Sequence, residues 1–462
     1  VNRSSSKVNV QSGWGGTTYS VVNDSNIDES TLTVVDNKNI HLQDGTFTFT
    51  APSEGEWVFY AYWAVGTGQT SGDTVPTAYV VNHLNKSGTQ AIIDYWENNL
   101  LTDEMKEHYA TYGGDLFEDS LELTAVDLPW CNEMAEYFQD NKGYNLIQYL
   151  PLLMGKLGTG SGITQVAETD IGEGDNRIPA GTTYTINNTA TIDNAADQEA
   201  ICNDFNENLS DMYIENHVKV IQEWCNSHNI KYRAQAQGTS DNNWVDSIEA
   251  ASYLDVVEGE TLGMNKSPDA FRSLAGAANM SGTEIVSVEL GADFGALYQI
   301  TWQHLIELVN RTASSGANQY VLHGFATRSQ ANSHTAWPGW MPFDEPRFSE
   351  SWNSSQPSWD YMKQDFVDYV SRLQATLQYG KADVDFAVYR DDLGIRTDEG
   401  HTQGVLYLDE NATPTDNPVA NLGYSYNYIS PGNFALDNAV VKDGELNPEY
   451  AGYQAIVINN EI

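Results

Sequence analysis

Strand-like and helix-like segments alternate over residues 79–395 of this 462-residue chain, and that alternation constrains the fold more than any other feature. The strand-like segments are rich in valine, isoleucine and aromatic residues: DLFEDSLE, IKYRAQAQ, YLDVVEGE, TEIVSVEL, NQYVLHGF and ADVDFAVY. The segments between them space apolar residues three and four apart, as in FGALYQITWQHLIELVNRT. Such alternation predicts an α/β fold with a parallel sheet, and we expect a (β/α)8-type barrel.

The flanking segments differ in pattern from this central part. TLTVV, TFTFTA and EWVFYAYWAV predict strands before it, and the polar, glycine-rich stretch Gly155–Ala195 interrupts it as a loop or hairpin. After Tyr389 the chain becomes strand-like again. We therefore predict a β-rich domain at 1–78, a barrel domain at 79–395 with an insertion near 155–195, and the start of a C-terminal β-containing domain at 396–462.

The charge balance is strongly acidic, with 22 Lys and Arg against 64 Asp and Glu and a formal net charge of −42. Such a surface repels phosphate backbones, so we expect no nucleic-acid partner. It suits hard cations, Ca²⁺ in particular, which bind carboxylate oxygens. The alternative is that most of the charge only solubilises the surface. No apolar run approaches the roughly 18 residues of a membrane span, so we also expect no membrane partner.

Asn-x-Ser/Thr sequons, among them those at Asn23 and Asn310, favour an extracellular, secreted glycoprotein. The three cysteines, Cys131, Cys202 and Cys225, form no CxxC motif. Cys202 and Cys225 lie on one predicted helix, which rises about 1.5 Å per residue and holds them farther apart than the about 7 Å that a disulfide spans. A disulfide, if one forms, is therefore expected between Cys131 and Cys202.

Polar residues stand at the carboxyl ends of five predicted strands, where a (β/α)-barrel carries its chemistry. They are Asp119, Glu122, Arg233, Gln235, Gln237, Glu258, Glu260, Glu289 and His323. Buried like charges are costly unless they are paired or bind a cation, so we interpret the set as a pocket. Many carboxylates without a nucleophile triad or a phosphate loop favour glycoside hydrolysis. In that reaction one carboxylic acid protonates the leaving oxygen and a second carboxylate activates water or attacks carbon.

Each residue also has a structural interpretation. Glu122 could cap the following helix, and Glu258 and Glu260 could lie in a solvated turn. His323 could be a hydrogen-bonded core histidine, and Arg233 could neutralise a neighbouring carboxylate. The set as a whole, rather than one member, carries the prediction of a site.

In these segments the chain resembles glycoside hydrolase family 106, the α-L-rhamnosidases. The similar segments run in order: VVNHLNKSGTQAIIDYW, FEDSLEL, NKGYNLIQYLPLLMG, YRAQAQG, DVVEGE, VSVEL, YVLHG, WPGW and PSWDYM. Asn82 stands where the family usually has Asp, and Val257 where it has Pro. The resemblance implies a barrel that begins before the β-rich segment, so we expect the chain to be part of a longer polypeptide whose other segments are partners of it.

The resemblance also implies roles. Glu122 would be the general acid, with a raised pKa, and Glu289 the general base, which should stay ionised. Asp119, Glu258 and Glu260 would hold Ca²⁺ near the sugar hydroxyls, and the sugar would contact Arg233, Gln235, His323, Trp337 and Trp359. The implied function is a secreted, exo-acting, inverting α-L-rhamnosidase that removes terminal rhamnose from plant or microbial glycans or glycosides. The alternatives are a glycosidase for a different sugar, a non-catalytic carbohydrate-binding protein on a related barrel, and a polysaccharide lyase, which the few basic residues disfavour.

Overall fold

The computed structural model describes residues 4–13, 16–35, 40–41, 46–55, 57–71, 78–121, 123, 128–157, 163–174, 176–192, 194–236, 244–262, 267–293, 300–323, 362–390 and 422–458. The chain forms two compact units. The first unit comprises Val1–Asn85 and Thr124–Asp211, and the second comprises Lys86–Leu123 and Met212–Ile462. These units do not test the three domains predicted from the sequence, which therefore stay a prediction.

The second unit contains a five-stranded parallel sheet. Its strands are β1 (Asp115–Glu118), β2 (Lys231–Ala234), β3 (Val256–Glu260), β4 (Val286–Leu290) and β5 (Gln319–Leu322). Each strand pairs in parallel with the next one along the chain. Parallel neighbours need crossover connections, and helices Pro268–Ser281 and Trp302–Ala313 lie in two of them. The first five predicted strands are therefore confirmed as strands of one sheet.

The burial of β3 follows from its position inside this sheet. All five of its residues are buried, as expected where a parallel strand is covered on both faces. The helix after it begins with Pro268, whose fixed φ suits a first turn, and ends at Gly282, which adopts a φ of +84°. Sequence signals thus fix both ends of this crossover helix.

The sixth predicted strand lies in a different sheet. Phe386–Tyr389 pairs in parallel with Tyr426–Ile429 and with Ala455–Val457. Its prediction as a barrel strand is wrong, because an apolar, aromatic run fits any buried parallel strand and does not specify the sheet. The described residues form a five-stranded parallel sheet and this second, three-stranded one, rather than a closed barrel of eight strands.

Helix Pro268–Ser281 packs directly against the second sheet. A Cβ atom added at Gly276 would lie 1.8 Å from the carbonyl oxygen of Tyr428, so only glycine allows this approach. Met280, at the end of the helix, belongs to a buried cluster with Ala387 and Ile429. The two sheets of the second unit are therefore joined through one shared helix.

Further elements belong to the described part of the second unit. Its other α-helices are Lys86–Tyr95, Asp103–Tyr112, Lys219–Ser227, Ser247–Ala251 and Val367–Leu377, its π-helical turns are Trp96–Leu100, Ile214–Val218 and Met362–Phe366, and Pro431–Ala435 is a 3-10 helix. A short hairpin joins Val441–Lys442 to Glu445–Leu446. Among the described helices, none is both long enough and apolar enough to cross a membrane.

The first unit has a four-stranded sheet that uses the predicted insertion. Ser4–Gly13 and Gly16–Ile27 form a long hairpin, Thr183–Ile192 pairs in parallel with the second of these strands, and Ile163–Val166 follows at the edge. The remaining strands are Ile40–His41, Thr46–Phe47, Thr70–Ser71, Ala78–Tyr79, Ile171–Glu173 and Asn176–Ile178. Helices Met134–Lys142, Leu146–Lys156 and Ala195–Tyr213 and the 3-10 helix Glu29–Thr31 accompany them.

Two sequence predictions for the first unit need comment. The prediction of a strand in EWVFYAYWAV is wrong for residues 57–65, because the backbone of these residues is not part of a described strand. Aromatic side chains of this segment pack on each other instead, and the ring centroids of Phe59 and Phe49 lie 5.1 Å apart. None of the three cysteines is in a disulfide. The predicted pairing of Cys131 with Cys202, which was conditional on a disulfide, therefore does not occur in this structure.

Candidate active site

The carboxyl ends of the five parallel strands present polar side chains on one face of the sheet. Residues two apart on a strand share a face. β2 therefore presents Arg233 with Gln235, and β3 presents Glu258 with Glu260. Pairing of β3 with β4 sets Glu260 beside Glu289. The sequence correctly predicted that the carboxyl ends of these strands lie side by side, at what is here called the carboxyl edge of the sheet.

Glu289 lies on this face beside Glu260. Gln235 Nε2 donates a hydrogen bond of 3.1 Å to its Oε2. Burial, reinforced by the carboxylates of Glu260, Asp119 and Glu258, raises the pKa of Glu289 to about 8, against the lowering effect of the Gln235 hydrogen bond. The carboxyl group is thus mostly protonated at neutral pH in these surroundings, which differs from the expectation of an ionised base.

Arg233 and Glu258 form an ion pair within the site. Arg233 Nη1 donates to Glu258 Oε2, and Ser287 Oγ donates to the same oxygen at 2.6 Å. The Glu258 side chain is fully buried. The guanidinium group also lies 4.4 Å from the centre of the Phe117 ring. The interpretation that Arg233 neutralises a neighbouring carboxylate is therefore the arrangement observed.

Glu260, Asp119 and His323 border the same edge. Glu260 is buried, whereas Asp119 is exposed just after β1 and accepts a 2.7 Å hydrogen bond from the backbone N–H of Ser120. His323 follows β5, and its backbone N–H donates to Leu290 at 2.9 Å. Burial lowers the pKa of His323, while the negative charge of Asp119 acts in the opposite direction. The structure therefore brings His323 within electrostatic reach of Asp119.

The carboxylate of Glu118 belongs to the opposite face of the sheet. His217 Nε2 lies 2.8 Å from Glu118 Oε1, and Tyr232 Oη donates to Oε2 at 2.5 Å. The other ring nitrogen of His217 lies 3.0 Å from Thr89 Oγ1, and the ring of Tyr213 stacks on the imidazole. Adjacent carboxylates of the FEDSLEL segment therefore serve two purposes: Glu118 binds the helical layer, and Asp119 faces the site.

Several predicted site residues cannot be placed. Glu122, Gln237, Trp337 and Trp359 lie outside the described residues. Conversely, sequence analysis missed Ser287 and Gln319, whose side chains join the Glu258 pair. The signal for Ser287 was its position two residues before Glu289, which places it on the same face. Nothing comparable pointed to His217, whose helical segment looks like an ordinary amphipathic one.

The oxygen atoms around Glu289 have the chemistry that a hard cation requires. Glu258 Oε1 and Gln235 Oε1 are buried and accept no hydrogen bond from the described residues. Ca²⁺ takes carboxylate and amide oxygens of this kind. Among the described residues, the ligand atoms of Asp119, Glu258 and Glu260 do not all approach within 4.8 Å of one another. These oxygen atoms are therefore of the type that calcium binds, but in the described structure they do not all surround a single point.

A carboxylate-rich edge on a parallel sheet is the kind of site that glycoside hydrolases use. The family model described as alpha-L-rhamnosidase matches residues 5–165 and 186–462. The chain therefore belongs to glycoside hydrolase family 106.

Individual proteins that resemble the chain include the following two. A Formosa agariphila protein, provisionally named a beta-glucuronidase, is 21% identical over 437 residues, which are 91% of this chain and 31% of that protein. The solved structure of a rhamnosidase from Novosphingobium sp. PP1Y is similar in fold, with a TM-score of 0.61 and 18% identity over 94% of this chain and 37% of that one. The chain thus spans about a third of the length of either relative.

Proposed function

We propose that the chain carries the catalytic site of an exo-acting α-L-rhamnosidase that removes terminal rhamnose from plant or microbial glycans or glycosides. The observation that supports this proposal best is the position of Glu289. It lies at a strand end, receives a hydrogen bond from Gln235, and is surrounded by carboxylates. Membership of the rhamnosidase family supports the choice of sugar.

The proposed mechanism is inverting, with Glu122 as general acid and Glu289 as general base. The acid protonates the glycosidic oxygen as the bond to the anomeric carbon breaks. The base removes a proton from a water molecule on the opposite face, and that water forms the new bond to the anomeric carbon. Gln235 orients the base, because its amide donates to one carboxylate oxygen and leaves the other available for water.

Glu289 can act as a base only when it is ionised, and its surroundings oppose ionisation. We propose that Asp119, Glu260 and the second oxygen of Glu258 hold Ca²⁺. When bound, this ion would supply positive charge that favours ionised carboxylates, and it would bind sugar hydroxyls. Glu258 Oε1 and Gln235 Oε1 support the proposal, because they are buried and accept no hydrogen bond from the part of the chain that is described, and a buried acceptor without a donor is costly.

Three further features belong to the same proposal. The five-stranded sheet would be part of a (β/α)8-type barrel, and the chain part of a longer polypeptide, in keeping with the third of each relative that it spans. The protein would be secreted, which the sequons favour. The sugar would also contact Arg233, Gln235, His323, Trp337 and Trp359.

Hydrolysis of a panel of aryl glycosides tests the proposal. The panel contains the α-L-rhamnoside, the β-D-glucuronide and neutral hexosides, each assayed with calcium and with a chelator. Release of the aryl group from the α-L-rhamnoside, at a rate at least about tenfold above the other substrates, is expected. Binding of rhamnose without any hydrolysis would instead favour the non-catalytic alternative.

Cleavage of a β-glucuronide is the second candidate, and the name of the Formosa agariphila relative supports it. An enzyme for a uronic acid needs a cation for the sugar carboxylate. Among the described residues at the ends of these strands, the basic side chain is that of Arg233, and it already pairs with Glu258. The neutral sugar is therefore the better candidate.

A further inference from the structure

A row of hydrogen-bonded side chains crosses four strands, and on β4 it lies two residues before Glu289. Gln319 Nε2 on β5 donates to Ser287 Oγ on β4 at 3.3 Å. Ser287 in turn donates to Glu258 Oε2 on β3 at 2.6 Å, and Arg233 on β2 donates to that same oxygen. The row depends on strand register, which aligns Ser287 with both Glu258 and Gln319.

Arg233 is fixed in place by this row and by its neighbours on β1. Its guanidinium stacks over the Phe117 ring, and its Nε lies 4.0 Å from Asp115 Oδ2. The side chain is only 14% exposed, whereas that of Glu258 is not exposed at all. A buried ion pair of this kind holds its two charges together, because separating them would leave an uncompensated charge.

The pair affects the charge that a sugar meets at the described strand ends. The basic residues of the five described strands are Arg233 and Lys231, and Lys231 is exposed at the start of β2, away from the strand ends. Besides this pair, Asp119, Glu260 and Glu289 contribute acidic side chains to the same face. For a sugar that carries its own carboxylate, the cationic side chain at the described strand ends is Arg233, which already pairs with Glu258.

The geometry points to Glu258 as a specificity-determining residue: by pairing with Arg233 it makes the site select neutral sugars over sugars that carry a carboxylate. This inference rests on the proposed function, since it concerns the sugar bound at that same site. Replacing Glu258 with glutamine keeps the shape and the acceptor oxygen but leaves the Arg233 charge with only the more distant carboxylate of Asp115 among the described ion pairs. The variant should therefore accept a carboxylated sugar that the native protein rejects.

The probes are methyl α-L-rhamnoside and methyl α-L-mannuronide, which differ only in a methyl group or a carboxylate on C5. Binding of each to the whole chain is measured by calorimetry at pH 7 with saturating Ca²⁺. The native protein is expected to bind the neutral sugar at least about tenfold more tightly. Equal or tighter binding of the carboxylated sugar by the native protein would overturn the inference without any variant.

Three variants isolate the charge of Arg233. In Glu258→Gln the preference for the neutral sugar should fall at least about tenfold, and in Arg233→Gln with Glu258→Gln it should return to within threefold of the native ratio. The double variant shares any loss of calcium with the single one, so the contrast between them reports on Arg233. Ser287→Ala removes a hydrogen bond but no charge and should leave the ratio within threefold.

The outcomes separate this inference from the proposed function. The role of the pair is overturned if Glu258→Gln keeps the native ratio of affinities for the two sugars. It is also overturned if the double variant keeps the altered ratio of Glu258→Gln. Either result counts even if the native protein hydrolyses the rhamnoside. If the binding ratios follow the expected pattern but the protein hydrolyses no rhamnoside, the role of the Arg233–Glu258 pair is supported and the proposed enzymatic function is rejected. If Glu258→Gln does not fold, the native ratio and the Ser287→Ala ratio still decide.

Discussion

Gln235 donates its amide proton to Glu289 across 3.1 Å, although Gln235 follows β2, Glu289 lies on β4, and β3 lies between these strands. The amide oxygen of Gln235 is buried and accepts no hydrogen bond from the described residues. The orientation of the amide is thus set by Glu289 and by whatever donor or cation approaches the oxygen. This contact connects the proposed base to the rest of the site.

Replacing Glu289 with glutamine should lower kcat for an aryl α-L-rhamnoside by about 10²–10⁴-fold, because general acid–base catalysis contributes about that much. Glu122→Gln should have an effect of similar size. Initial rates and circular dichroism measure activity and folding together. Glu284→Gln is the matched control, since Glu284 is exposed ahead of the same strand. Near-native turnover in Glu289→Gln would remove this residue from the mechanism.

The sequence predicted the strand ends but not their pairing partners. Runs such as VVEGE and VSVEL mark both the strand and the polar residue at its end, so Glu260 and Glu289 could be placed on one edge. Whether Arg233 neutralises Glu258 or binds sugar depends on strand register, which no local pattern encodes. The same limit applies to the contact of Glu118 with His217, which joins a strand to a distant helical turn.

Long-range pairing also limited prediction in the first unit. The Gly155–Ala195 stretch is polar and rich in glycine, as loops are, yet it contains Thr183–Ile192, a ten-residue strand. The antiparallel pairing of Glu173 with Asn176 fits the predicted hairpin. The strand is stabilised by pairing with Gly16–Ile27, more than 150 positions earlier in the chain. Its own alternating threonines were a weaker signal than the surrounding glycines.

An inverting mechanism predicts the anomeric form of the first product. Hydrolysis of an aryl α-L-rhamnoside should release β-L-rhamnose, which then equilibrates with the α form. Proton NMR spectra recorded in the first minutes distinguish the two. The two carboxyl groups of an inverting pair lie about 6.5–9.5 Å apart to admit the water. Initial release of the α anomer would contradict inversion and would suggest a covalent intermediate.

Removing the His217 side chain should destabilise the second unit. In His217→Ala, both Thr89 and Glu118 lose a buried hydrogen-bond partner, which typically costs about 2–4 kcal/mol in the free energy of unfolding. Urea titration followed by fluorescence measures the change. His108→Ala is the control, because His108 is exposed and the change should stay within about 0.5 kcal/mol. Equal stability of the two variants would mean that the network contributes little.

The three cysteines should differ in reactivity. Burial raises the pKa of Cys131 to about 11 and that of Cys225 to about 12, so at pH 8 at most about one in a thousand of these thiols is ionised. Cys202 is only half-buried. Iodoacetamide at pH 8 should therefore label Cys202 first, and the other two only after unfolding in urea. Peptide mass spectrometry gives the order, and rapid labelling of Cys225 in the native protein would contradict the buried position.

Calcium dependence is the prediction that bears most directly on how the site works. Asp119, Glu258, Glu260 and Glu289 bring four carboxyl groups to one edge, and Arg233 compensates only Glu258. Burial is the main cause of the raised pKa of Glu289, and the negative charges of Glu260, Asp119 and Glu258 raise it further. Since a base must be ionised, a cation among these groups should be needed for turnover near neutral pH.

Exhaustive chelation should therefore lower the rate at least about tenfold, and added Ca²⁺ should restore it. Mg²⁺ should restore it poorly, because it demands a tighter octahedral geometry than this open set of oxygens offers. Asp119→Ala should raise the Ca²⁺ concentration needed for half-maximal activity without changing the melting temperature by more than a few degrees, since Asp119 is exposed. Asp103→Ala, at an exposed position on another element of the same unit, should leave that concentration unchanged. Full activity after chelation, with no metal detected by elemental analysis, would show that water and Arg233 suffice.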